Sequence, residues 1–142
     1  MNIVDPIRDK DDIKAMKEYL REWNERNYLL FLFGINSGLR VGDILRIRVK
    51  DVQGWHIKIK EQKTGKQKQI KMTKTLKKEV KEYIKDMPLH YYLFQSRIGK
   101  NKPLDRRTVD WILKTAALEC GIENIGTHSM RKTFGYHYYK KY

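Results

Sequence analysis

Residues 36–45 read Asn-Ser-Gly-Leu-Arg-Val-Gly-Asp-Ile-Leu, and this stretch separates a long apolar segment from a short amphipathic one. The run from Tyr28 to Phe33, just upstream, is apolar on most of its surface, which is typical of a helix buried at the centre of a domain. Gly38 is suited to close that helix as its C-terminal cap. A second, short helix is predicted from about Arg40, with Ile44 and Leu45 on its buried side.

The middle of the chain changes from helical spacing to alternation. Apolar and basic residues alternate from Trp55 to Lys60 and again from Gln69 to Met72, on either side of a turn at residues 63–66. A period of two predicts strands, so this segment is expected to form a β-hairpin. We expect a third strand around Ile47 to Val52, which would give a small three-stranded antiparallel sheet.

Helical spacing returns on both sides of the hairpin. Asp9 and Asp11 precede apolar residues at helical spacing and predict a first helix. Further helices are predicted at about Leu76 to Ile84 and Arg106 to Glu119, and a last one begins near Thr127. This order gives an α+β fold that is mostly helical. Its 142 residues fit a single domain, residues 1–142, with no repeat or linker to divide it.

The charge balance indicates an anionic partner. The chain has 31 Lys and Arg against 17 Asp and Glu, a formal net charge of +14. Nucleic acid is the usual partner of so basic a domain. Ribosomal proteins, RNA-binding proteins and some secreted proteins are equally basic, so charge alone does not choose among them.

Cysteine content and hydropathy narrow the cellular setting. Cys120 is the only cysteine, which excludes an internal disulfide. The first residues contain no apolar signal region. The most apolar stretch, Tyr28 to Ile35, is far too short to span a bilayer, so no membrane partner is expected. We expect a cytoplasmic protein, in the compartment where a bacterial chromosome would also be.

Lysines are concentrated in and after the hairpin, where few acidic residues oppose them. Lys58 and Lys60 share one face of the hairpin, while Ile57 and Ile59 share the other. One interpretation is a ribbon that contacts DNA phosphates and supplies affinity without base specificity. The other is a solvated lysine face that protects a sheet edge. The lysines expected to bind DNA are Lys58, Lys60, Lys66, Lys68 and Lys71.

Two short motifs have the chemistry to bind a phosphate group. His128 and Arg131 are three residues apart at the start of the last helix, where the helix N-terminus adds partial positive charge. Arg40 follows the Gly38 cap, where its guanidinium could project into a cleft and be held by Asp43. Taken alone, each motif fits ordinary structure better: a partly buried histidine beside a surface arginine, or a surface ion pair.

Together, three segments resemble the motifs of the tyrosine recombinases. Residues 36–45 resemble the first arginine motif of that family. Residues 60–66, Lys-Glu-Gln-Lys-Thr-Gly-Lys, resemble its lysine-bearing β-hairpin. Residues 126–135, Gly-Thr-His-Ser-Met-Arg-Lys-Thr-Phe-Gly, resemble the His-x-x-Arg motif of phage and transposon integrases. The three occur in the family's order, and the resemblance extends from about Asp5 to Tyr142.

The resemblance implies phosphoryl transfer on double-stranded DNA, with no metal, cofactor or small-molecule substrate. In the family a tyrosine attacks the scissile phosphate, which leaves a 3′-phosphotyrosyl link and a free 5′-hydroxyl. Arg40 and Arg131 match the arginines that clamp the non-bridging oxygens. Lys63 matches the lysine that protonates the departing oxygen. His128 matches the histidine that assists proton transfer, and Asp43 matches an acidic position that supports the first arginine.

The resemblance also indicates what the 142 residues lack. The family places its nucleophilic tyrosine further downstream than this sequence reaches, since the chain ends eleven residues after Arg131. We therefore expect a catalytic domain without nucleophile or core-binding domain, inactive by itself. Tyr136, Tyr138, Tyr139 and Tyr142 are expected to be packing residues of the last helix. An apolar patch near that helix should favour self-association, and the family acts as tetramers on DNA.

Two other functions would use the same basic surface. A non-enzymatic DNA-binding module would need the charge, but it would not need Arg40, Lys63, His128 and Arg131 together. An RNA-binding protein fits the charge equally well. However, the sequence contains no ribonucleoprotein aromatic motif and no suitably placed Gly-x-x-Gly loop.

Overall fold

A computed structural model describes the backbone of residues 3–141 and the side chains of residues 3–140. The helices are α1 (Lys10–Trp23), α2 (Glu25–Ser37), α3 (Val41–Ile44), α4 (Lys74–Ile84), α5 (Arg106–Glu119) and α6 (Thr127–Lys141). The strands are β1 (His56–Lys60) and β2 (Gln67–Lys71), and a 3₁₀ helix lies at Val49–Val52. No helix within the described part of the chain is long and apolar enough to cross a membrane.

Helix α2 is the buried central element that the sequence predicts. Every residue from Asn27 to Gly34 is buried, and α1, α4 and α6 all pack against this helix. Asn24 caps its N-terminus, because its side chain accepts hydrogen bonds from the backbone N–H groups of Arg26 and Asn27. Gly38 ends it in the left-handed conformation (φ 69°), which confirms the predicted C-terminal cap.

Two glycines allow α6 to approach this central region closely. A Cβ atom at Gly34 would overlap the side chain of Met130, and one at Gly38 would overlap the ring of Phe134. Both contacts therefore require a residue without a side chain. They fix α6 against the C-terminal end of α2, and Arg40 lies immediately after that end.

The sheet has two strands rather than the expected three. β1 and β2 pair antiparallel, from His56 opposite Lys71 to Lys60 opposite Gln67. The expected third strand is wrong, because the backbone turns into the 3₁₀ helix at Val49–Val52. The Asp51 carboxylate accepts a hydrogen bond from the backbone N–H of Arg48 (2.9 Å), which stabilises that turn where a strand would have to continue.

The remaining helices lie close to their predicted positions. Helix α5 has the predicted bounds, and α1 begins directly after Asp9, whose side chain caps it. Helix α4 starts two residues earlier than predicted, because Thr73 accepts a hydrogen bond from the backbone N–H of Leu76 and so places the cap at residue 73. The fold is thus α+β and mostly helical, as the sequence indicates.

We predict that Gly34→Ala lowers the free energy of unfolding by about 1–3 kcal/mol, because the added methyl group overpacks the contact with Met130. Gly135→Ala is the matched control, since an added Cβ there meets nothing within 4 Å. Alanine is the better helix former, so this control should gain about 0.5–1 kcal/mol. Urea unfolding followed by circular dichroism measures both changes, and equal shifts of the two variants would contradict the packing argument.

Candidate active site

A cleft of about 280 Å³ collects residues from distant parts of the chain. Arg40 reaches it from the junction of α2 and α3, Lys63 from the hairpin turn, and His128 from the first turn of α6. The full lining consists of Arg40, Val41, Gly42, Asp43, Gln62, Lys63, Arg106 and His128. Three of the four residues expected to be catalytic therefore share one concave surface.

Arg40 is held in the cleft by an acidic residue of the hairpin. Its Nη1 atom lies 3.5 Å from Oε2 of Glu61, and its side chain is 38% exposed. The Glu61 side chain is only 11% exposed, and the same oxygen lies 3.7 Å from Nζ of Lys68. This carboxylate therefore links the first arginine motif directly to the hairpin.

Asp43 has a different partner from the one expected. The sequence suggested that it supports Arg40, but the ion-pair partner of Arg40 in the described structure is Glu61. The buried Asp43 carboxylate instead accepts a hydrogen bond from the backbone N–H of Gln62, with an O–N distance of 3.1 Å. Because Gln62 directly precedes Lys63, Asp43 anchors the turn that carries the lysine.

The turn itself is closed by its own hydrogen bonds. The backbone N–H of Gly65 donates to the Glu61 carbonyl, and the N–H of Glu61 donates to the Lys66 carbonyl, both at 2.8 Å. Thr64 Oγ1 lies 3.2 Å from Glu61 Oε1. Gly65 adopts φ 72°, a conformation that glycine accepts without strain. Lys63 is thus exposed on a compact turn at the edge of the cleft.

The first turn of α6 presents His128 to solvent, and hydrogen bonds to two side chains hold that turn. The backbone N–H of Gly126 donates to Ser129 Oγ (3.0 Å), and that of Thr127 donates to Asp110 of α5 (3.3 Å). These contacts place His128 on the cleft, while Arg131 lies one turn further along the helix and is half-buried. Arg131 does not line this cleft.

The surroundings of His128 lower its pKa. Partial burial is the largest cause, and the positive charges of Arg106, Lys132, Arg131 and Arg40 add to it in that order. Both causes disfavour the imidazolium form. Arg131 and Arg40 are the two weakest of these causes, and Arg131 itself lies outside the cleft.

The hairpin lysines do not all lie on one face. Lys58 pairs with Gln69 and Lys60 with Gln67, so these two lysines share a face as expected. Lys68 pairs with Ile59 and lies on the opposite face. All three nevertheless border a groove of about 610 Å³ beside the hairpin, which Arg46 also lines. Lys66 and Lys71 are exposed.

The tyrosines of α6 are less buried than expected. Tyr139 is 80% exposed and Tyr138 is 50% exposed, so the expectation that they are packing residues is wrong for Tyr139. Tyr138 stacks on the ring of Phe134, and Tyr136 is half-buried near the guanidinium of Arg8. Tyr142 lies outside the described residues.

Sequence reasoning missed two charged residues of this site. Glu61 lies inside the hairpin motif at residues 60–66, and its isolation among many lysines is the signal that could have identified it. Arg106 was assigned only to a helix. Its signal was a cation in the first turn of a helix, where the helix dipole favours acidic side chains.

Comparison with known proteins identifies the family. The family model described as "Phage integrase family" matches residues 8–142. The chain belongs to this family of tyrosine recombinases. It is 49% identical over 142 residues to the probable integrase/recombinase YoeC of Bacillus subtilis (strain 168), covering 99% of this chain and 78% of that protein. It is 28% identical over 133 residues to the probable integrase/recombinase of Acholeplasma phage L2, covering 87% of this chain and 45% of that protein.

Solved structures of other recombinases share the fold of this integrase-family chain. The crystal structure of XerA recombinase superposes with a TM-score of 0.80 at 20% identity, covering 98% of this chain and 52% of that one. Lambda integrase bound to DNA gives a TM-score of 0.76 at 18% identity, covering 99% of this chain and 53% of that one. The chain therefore spans about half of each of these two solved chains, and the expected family and fold are confirmed.

We predict that the pKa of His128 lies below the ordinary histidine value and rises as salt is added. Salt screens the repulsion from the surrounding cations, whereas the part of the shift that comes from burial remains. Titration by NMR at low and high ionic strength measures both effects, and loss of the signal in His128→Gln assigns it. A pKa that is insensitive to salt would show that the cations of the cleft do not act on His128.

Proposed function

We propose that this chain is the DNA-binding catalytic part of a site-specific recombinase, which breaks and rejoins strands through a 3′-phosphotyrosyl intermediate. The observation that carries the proposal is the cleft that brings Arg40, Lys63 and His128 together from three distant segments. A structural protein has no need to place three cationic or titratable groups on one concave surface. The cleft suits a ligand with concentrated negative charge.

Each of these side chains has a suitable task around a backbone phosphate. The planar guanidinium of Arg40 can donate two parallel hydrogen bonds to the non-bridging oxygens, and Arg131 supplies a second guanidinium from α6. Such fixed donors stabilise the charge that develops in the transition state. Lys63, on its closed turn, is the general acid for the departing 5′-oxygen. His128 assists the proton transfer.

The electrostatics of the cleft favour anion binding. Among the described side chains, Lys63, Arg106 and Arg131 form no ion pair, and Arg40 shares Glu61 with Lys68. Like charges that are held close together repel one another, and a bound phosphate relieves that repulsion. The whole chain carries a formal charge of +14, which adds a long-range attraction to duplex DNA.

We also propose that the chain self-associates on double-stranded DNA. Among the similar structures, one is a lambda integrase dimer bound to a core site. On this chain, Trp111 and Leu118 are 59% and 79% exposed, and they lie two turns apart on the same face of α5. Exposed apolar side chains of this size are suited to a protein contact.

We predict that the Arg40→Ala/Arg131→Ala double variant binds duplex DNA more weakly and with a shallower salt dependence than the parent. Each lost phosphate contact should lower the slope of log affinity against log salt by about 0.9. Fluorescence anisotropy with a labelled duplex over a salt series measures both quantities. Binding equal to that of the parent would place DNA away from the cleft and would favour a plain DNA-binding module that uses the hairpin lysines.

We predict that the 142-residue chain forms no covalent link to DNA, because its tyrosines lie closer to Arg131 than the family's nucleophile does. A nicked duplex that traps a phosphotyrosyl intermediate, followed by denaturing electrophoresis, tests this expectation. A covalent adduct that disappears in a Tyr136→Phe, Tyr138→Phe, Tyr139→Phe or Tyr142→Phe variant would contradict it and would identify the nucleophile.

A further inference from the structure

Arg106 reaches the cleft from a fourth segment of the chain. It is the first residue of α5, and its side chain lines the same surface as Arg40, Lys63 and His128. The preceding loop and helix are not part of any of the three motifs that indicated the function. Arg106 is therefore a cation of the site that none of those motifs assigns.

The local sequence gives Arg106 no structural reason to be a cation. The first turn of α5 contains Arg106 and Arg107 and no acidic residue, although the partial positive charge of a helix N-terminus favours acidic side chains. The cap is formed by Asp105, whose carboxylate accepts a hydrogen bond from the backbone N–H of Thr108 (2.8 Å). A local choice that opposes helix stability is typical of a functional position.

The guanidinium of Arg106 is also uncompensated. Among the described side chains it forms neither an ion pair nor a hydrogen bond, whereas Arg40 has Glu61 and Arg26 donates to Asn27 and to the carbonyl of Gln95. Its charge nevertheless reaches into the site. Of the cations that lower the pKa of His128, Arg106 has the largest effect.

We propose that Arg106 binds a backbone phosphate of DNA in the cleft, alongside Arg40. This inference rests on the proposed function, because it assigns Arg106 to the same DNA-binding surface. The guanidinium is suited to this task, since its planar group of donors matches the geometry of phosphate oxygens. Arg106 thus adds a positive charge on the side of the cleft where α5 begins.

The test compares Arg106→Gln with Arg107→Gln in duplex-DNA binding over a salt series. Both variants remove one positive charge from the same exposed helix turn, but Arg107 does not line the cleft. We expect Arg106→Gln to lower affinity about tenfold, which corresponds to roughly 1.4 kcal/mol. It should also lower the salt slope by about 0.9, as the loss of one phosphate contact does. Arg107→Gln should change both quantities much less.

A second readout does not depend on DNA. In Arg106→Gln the pKa of His128 should rise, because the largest of the repelling charges is gone, and it should be restored in Arg106→Lys. An unchanged His128 pKa in Arg106→Gln would show that the guanidinium does not face the cleft in solution, and this would overturn the proposal.

The outcomes separate this inference from the proposed function. If the Arg40→Ala/Arg131→Ala variant loses affinity and slope while Arg106→Gln and Arg107→Gln behave alike, the proposed function stands and the role of Arg106 is overturned. If the double variant binds like the parent, the DNA-binding cleft itself is refuted and the assignment of Arg106 is refuted with it.

Discussion

The close packing of α6 on the end of α2 is the contact on which the site depends. Gly34 and Gly38 leave no room for a side chain beneath Met130 and Phe134, so the two helices meet at a fixed position. Gly38 also ends α2, and the backbone is extended two residues later, at Arg40. These two packing contacts therefore limit the distance between the first arginine and the helix that carries His128 and Arg131. Because protein interiors are close-packed, that distance has little freedom to vary.

The hairpin is attached to this framework by two carboxylates rather than by an extended sheet. Asp43 holds the backbone of Gln62, and Glu61 holds the guanidinium of Arg40. A two-stranded hairpin is only marginally stable on its own, so these anchors and the buried Ile57 must fix its position. The consequence for function is that the turn carrying Lys63 is tied to the first arginine motif. Lys63 and Arg40, the proposed general acid and phosphate clamp, are therefore held together by the same two carboxylates.

The sequence predicts the elements better than it predicts the contacts between them. Helix α5 and the cap at Gly38 follow from spacing and residue type, which are local properties of the chain. The third strand fails because the backbone enters a 3₁₀ helix at Val49–Val52, which the hydrogen bond from the N–H of Arg48 to Asp51 stabilises. The expected partner of Asp43 is also not the observed one. Asp43 lies three residues from Arg40, but its carboxylate accepts a hydrogen bond from the backbone N–H of Gln62. Motif spacing identifies Arg40, Lys63 and His128 as candidate site residues. Arg106 lies in no motif, so only the three-dimensional structure shows that it lines the cleft.

Glu61 offsets part of the positive charge around the cleft. A cleft lined by arginines and a lysine would repel itself, and one nearly buried carboxylate beside Arg40 and Lys68 offsets part of that repulsion. A phosphate that binds Arg40 must compete with this carboxylate for the same guanidinium. At Arg40 the phosphate would replace part of the Glu61 contact, so the net gain from this arginine is smaller than from a cation without a partner. Among the described side chains, Lys63 and Arg106 in the cleft and Arg131 outside it have no ion-pair partner, so under the proposed function their charges are the ones that a phosphate can neutralise without displacing a carboxylate.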